Sequence, residues 1–144
     1  MSPQPLKPDL FVNLCVQDVE RSTEFFKAIG FTFDPRFTNA FAACLIINER
    51  AHAMLLSEEH FKLFTPKAIV RSKESTEVLL ALGQDSKQAV VQLCEKAFEM
   101  GGRRYKEPDE HGSMFGWGFE DPDGHIWEVF WMNAATVEDA SIDH

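Results

Sequence analysis

The sequence is short of positive charge. Its 14 lysines and arginines stand against 23 aspartates and glutamates, which leaves a formal net charge of -9 over 144 residues. Neutralising phosphates requires clustered Lys and Arg, so nucleic acid and anionic membranes are poor partners. Long apolar runs are missing too. The longest, residues 41–47, is far too short to cross a bilayer, and residues 1–7 carry neither an apolar signal core nor a small-residue cleavage site. The location expected on this basis is cytoplasmic. Only three cysteines occur, Cys15, Cys44 and Cys94, without CxxC or Cys/His spacing. That removes support for structural zinc or a disulfide framework and leaves buried reduced thiols as the reading.

What is present is a chain of 44% hydrophobic residues, enough for one domain with an unstapled core. Leu10, Val12, Leu14 and Val16 alternate loosely as in a strand, Asp18 stands as a helix N-cap, and Val19, Ser22, Phe26 and Ile29 form a helical stripe ending at Gly30. Three β-prone segments follow, at residues 31–37, 41–47 and 51–57. Residues 58–75 hold Pro66 and several basic residues and read as a linker with a short helix near residues 61–64. The same order then recurs. A strand is expected at residues 77–82, then a helix capped by Asp85 with Gln88 as a weak capping box, ended by Gly101 and Gly102. Strands are expected again at residues 103–107, 114–120 and 126–131, the last two joined by Asp121-Pro122-Asp123-Gly124. Asp85 lies 67 positions beyond Asp18 and Gly102 lies 72 beyond Gly30, so the halves match as an internal duplication.

The run from Phe11 through Asn13, Asp18 and Ser22 to Phe25-Phe26 and Gly30-Phe31 resembles the opening of glyoxalase and bleomycin-resistance domains. Asp121-Pro122-Asp123-Gly124-His125-Ile126-Trp127-Glu128-Val129 resembles their closing hairpin. The resemblance is to the glyoxalase/bleomycin resistance protein/dioxygenase, or vicinal oxygen chelate, superfamily and within it to a lactoylglutathione lyase-like subgroup. It implies an α+β fold of two βαβββ repeats forming an incomplete mixed β-barrel around one small-molecule cavity. The implied organisation is an N-terminal tail at residues 1–8 and one domain at residues 9–132. Within that domain, repeat one is 9–57, the linker 58–75 and repeat two 76–132. An acidic tail follows at 133–144. By analogy a homodimer is expected.

In that superfamily a divalent metal is commonly held by His, Glu or Gln from the first and last strand of each half. Here Glu128 matches a ligand position, Glu77 falls where a histidine would sit, and Phe11 and Leu55 occupy the other two. The divalent ion that the resemblance implies, with Glu128 among its ligands, therefore has an incomplete ligand set here, and no cofactor is assigned.

Glu128 has two readings: an edge residue leaning into water, or an inward carboxylate acting as acid or base. Glu77 divides in the same way, and together the two would make an acid/base pair. His111 is either a surface-loop histidine or a titrating group at the site's mouth. Asn13, with Phe11 and Leu55, is assigned to substrate binding, and Asn13 is expected to be buried. Trp117 belongs to an aromatic stripe that is core or, at one position, a stacking surface for a planar ligand. Two functions follow: a glyoxalase-like lyase or isomerase acting on a small molecule with an atypical or absent metal site, or a non-catalytic small-molecule binding protein of the bleomycin-resistance type. A ring-cleaving dioxygenase needs two histidines and a carboxylate, of which only the carboxylate is in place.

Overall fold

The computed structural model describes residues 4–133. The chain forms two compact units, Met1–Ile69 and Val70–His144. Most of the tail expected at residues 133–144, and the first three residues of that expected at 1–8, lie outside the described residues.

The first unit runs β1 (Leu10–Val16), α1 (Val19–Ala28), β2 (Thr32–Asp34), β3 (Ala42–Asn48), β4 (Ala51–Ser57) and a short α2 (Glu58–Phe61) continued by a 3-10 turn at Lys62–Phe64. Its sheet has the order β1-β4-β3-β2, with β1 parallel to β4 and the remaining pairs antiparallel. Asp18 caps α1 as expected, its carboxylate accepting from the Arg21 amide at 3.1 Å. Val19, Ser22, Phe25 and Phe26 form the buried stripe of that helix. The sheet's own buried side chains include Leu14, Val16, Leu45, Ala53 and Leu55. Each large side chain so buried contributes roughly 1.5–3 kcal/mol. The strand expected at residues 31–37 is cut short because Pro35 has no amide hydrogen for a ladder and Asp34 instead caps a 3-10 turn at Pro35–Phe37.

The second unit repeats the plan: β5 (Leu80–Gly83), α3 (Lys87–Glu99), β6 (Asp109–His111), β7 (Met114–Glu120) and β8 (Ile126–Met132), in the order β5-β8-β7-β6 with β5 parallel to β8. The described strands thus make two separate four-stranded mixed sheets of identical topology, not one closed barrel, and the fold is α+β.

Three sequence expectations are corrected here. The cap of α3 is Ser86, whose hydroxyl accepts from the Ala89 amide at 3.0 Å, and not Asp85. The fifth strand starts at Leu80, where pairing with Trp127 begins, so Glu77 precedes it and is exposed. The sixth strand forms at Asp109–His111; before it only Arg103 bridges to Glu120. Between them the Lys106 carbonyl accepts from the Trp117 indole at 3.0 Å, a side-chain partner in place of a ladder bond.

The closing hairpin is held from within. Asp121 is 1% exposed, and its carboxylate accepts from the amides of Asp123 and His125 and from the Trp127 indole, each at 3.0 Å. Burial pushes its carboxyl above the ordinary value of 3.8, against the opposing pull of His125 and of these bonds. Gly124 has φ +91, and a side chain there would press on the Lys73 backbone; Ser72 donates to the Asp123 carbonyl at 2.7 Å. The end of the expected linker is therefore packed onto this turn.

Candidate functional site

Residues paired across strands point to the same face, so the ladders sort each sheet into a helix side and an open side. In the second unit Phe115, Trp117, Phe119, Trp127 and Val129 are buried on the side of α3, whose own buried residues are Val90, Cys94 and Ala97. The opposite side carries Glu128, paired with Ala81 and Gly118, and Phe130, paired with Gly83 and Gly116. Ile126 and Met114 lie on the same open side.

Two glycines on β7 leave this face bare beside Glu128 and Phe130, and side chains from the segment entering β6 fill part of the gap. Lys106 donates from Nζ to Glu128 Oε2 at 3.0 Å, and both side chains are 29% exposed. Asp109 stands 3.9 Å from the same ammonium, and His111 Nε2 lies 3.5 Å from Asp109 at the exposed rim. The Tyr105 hydroxyl sits where a Cβ at Gly118 would be. That hydroxyl is buried and has no hydrogen-bond partner. Burial, with Glu128 next in weight, pushes the phenol well above its ordinary value, so it is a neutral donor.

The first unit's open face is mainly apolar. Phe11, Asn13 and Cys15 of β1 are in register with His52, Met54 and Leu56 of β4. Phe11 stacks on His52 with centroids 4.6 Å apart and planes 9° apart, and His52 Nδ1 is buried without a hydrogen-bond partner. Asp34 is held by Arg36 through bonds of 2.8 to 3.1 Å, which lower its carboxyl below 3.8.

Of the residues singled out from sequence, the second unit gathers Glu128 and, at its rim, His111. Glu77 is not with them. Trp117 is no stacking surface: it is 5% exposed, packs edge-on against Phe98 at 5.3 Å and bonds the Lys106 carbonyl. Leu55 lies on the helix side, paired with Leu14, so its assignment to the ligand face is off by one residue; Leu56 shares the face of Phe11 and Asn13. Phe11 and Asn13 are on the open face, but Asn13 is exposed, not buried. Lys106, Tyr105 and Asp109 were missed. A signal existed: Tyr105 is the chain's single tyrosine, and the alternation Gly116-Trp117-Gly118 marks a strand face without side chains.

The residues do not fit the divalent metal that the resemblance implies. Glu128 is bonded to an ammonium, and its strand neighbours on that face are Ile126 and Phe130. The corresponding open-face positions of β4, Met54 and Leu56, are apolar. Among the described residues no three His, Cys, Asp or Glu side chains are grouped to hold an ion. The three cysteines are thiols, not disulfides; Cys44 and Cys94 are buried, and burial pushes the Cys94 thiol up to about 12. Among the described residues no helix is long and apolar enough to cross a membrane.

Residues 10–48 match the family model described as bleomycin resistance protein-like N-terminal. The structure resembles that of hypothetical protein SA1046 from S. aureus, 29% identical, with a TM-score of 0.74 over 89% of this chain and 95% of that one. It also resembles a glyoxalase-related enzyme from Fulvimarina pelagi, 23% identical, TM-score 0.73, with 88% of each chain covered. A glyoxalase/bleomycin resistance protein/dioxygenase family enzyme from Burkholderia phytofirmans PsJN is 18% identical, with a TM-score of 0.72 over 85% of this chain and 97% of that one. No curated protein matches the sequence. These likenesses establish the fold, and the family-model match covers residues 10–48.

Proposed function

We propose that this chain is a superfamily member, a small-molecule binding protein of the bleomycin-resistance type, that takes an organic molecule without a metal ion on the open face of its second sheet. The observation that carries the reading is the 3.0 Å bond between Lys106 and Glu128. The carboxylate that the resemblance assigns to a metal already has a cation, and Ile126, Met114 and Phe130 around it offer apolar contact. A half-buried ion pair in such surroundings is a polar anchor: a ligand's anionic group can take the ammonium, and a cationic group the carboxylate. The net charge of -9 argues for a small ligand over nucleic acid or an anionic membrane.

A second reading, a lyase or isomerase of the lactoylglutathione lyase-like kind, is favoured by the Lys106 ammonium beside the carboxylate. Glu128 would take a proton from a carbon next to a carbonyl, and Lys106 would stabilise the developing oxyanion. The homodimer belongs to the proposal on the strength of the resemblance, and the cytoplasmic location on the reading of the sequence.

A thermal-shift screen of organic acids, amines and aromatic compounds, run with and without a chelator, tests the first reading. Stabilising compounds should act equally in both conditions on the wild-type chain and lose their effect on K106M. Compounds that stabilise only with added nickel, zinc or manganese would contradict it.

A further inference from the structure

We infer that Tyr105 and Lys106 form an acceptor-binding corner on this face, so that the bound molecule presents a carbonyl or carboxylate oxygen to them. The inference rests on the reading of the face as the ligand site and adds the chemical class of the ligand. An unpaired buried hydroxyl destabilises the fold, and native structures rarely retain one without a use. The Tyr105 hydroxyl is such a group, and it fits there only because Gly118 has no side chain. Its acidic neighbours do not take its proton in a hydrogen bond: Glu128 Oε2 accepts from Lys106, and Asp109 lies 3.9 Å from the same ammonium. Burial first, and then Glu128, disfavour a phenolate, so the group keeps its proton and has a hydrogen to donate.

Lys106 carries the second donor. Its Nζ lies 5.8 Å from the centroid of the Tyr105 ring and is partly exposed, so this one long side chain is the movable cover over the phenol. Swinging toward a ligand oxygen, it would bring an ammonium and a phenolic hydrogen to the same acceptor, with Phe130 and Ile126 on the same face for an apolar body.

The test uses the full chain and two matched probes, phenylpyruvate and 2-phenylethylamine, followed by backbone amide NMR on wild type and Y105F. The expected result is that phenylpyruvate moves the signals of Gly116, Gly118 and Glu128 and binds wild type at least about tenfold more tightly than Y105F, the loss of one charge-assisted hydrogen bond. Y105F, relieved of an unpaired hydroxyl, should melt at the same or a higher temperature. Equal binding of phenylpyruvate to both proteins, preference for the amine, or a lower melting temperature in Y105F would overturn the corner while leaving the face as a ligand site. If neither probe moved those signals, the reading of the face would fall, and the corner with it.

Discussion

Glu128 and Lys106 are each 29% exposed, which sets the scale of what their bond does. Partly exposed pairs contribute little to stability, and the role proposed for this one is ligand recognition. A double-mutant cycle of K106M and E128Q, followed by chemical denaturation, should give a coupling of about 0.5–1 kcal/mol. A coupling indistinguishable from zero would show that the bond does not persist in solution. Asp34 offers a pH test at the same scale. Its carboxyl is lowered, first by its bonds to Arg36, so the stability it adds is complete above the ordinary value of 3.8 and is lost as pH falls through the folded value. Carboxyl NMR should show Asp34 titrating below 3.8 in wild type and returning toward it in R36Q. A midpoint unchanged by that substitution would contradict the assignment.

Elements in this protein are set by turn chemistry and by strand phase, and sequence reveals these two unequally. The cap at Asp18, the left-handed Gly30 and Gly124, and the hairpin turn were legible because each depends on one local residue type. Strand phase left Glu128 between two readings, because β8 is apolar on both faces around it, and failed for Leu55, where an apolar Leu-Leu pair hides which residue faces the helix. Glu77 and the sixth strand failed because tertiary pairing, not propensity, decides where those ladders begin. Asp121 was legible only as a turn former, although its carboxylate ties two amides and an indole together. D121N should therefore cost on the order of 2–3 kcal/mol, since an amide supplies one acceptor oxygen where three donors converge. Unfolding with urea measures it; a loss below about 0.5 kcal/mol would show that the turn stands without that carboxylate.

At the scale of the whole chain, the duplication was the feature most open to sequence, because the two sheets repeat one strand order. The chemistry has not been duplicated. The first unit's open face stacks Phe11 on His52 among apolar neighbours, while the second's concentrates Tyr105, Lys106, Asp109 and Glu128 around two glycines. Lys106 and Tyr105 escaped notice because they precede a short strand whose place only the fold defines, so no spacing rule joined them to Glu128. The most direct check on the central claim is elemental analysis of the full chain purified without chelator or added metal. A metal-independent site predicts less than about one tenth of an equivalent of nickel, zinc, manganese or iron per chain. About one equivalent, lost in E128Q, would show that Glu128 serves a metal and not Lys106.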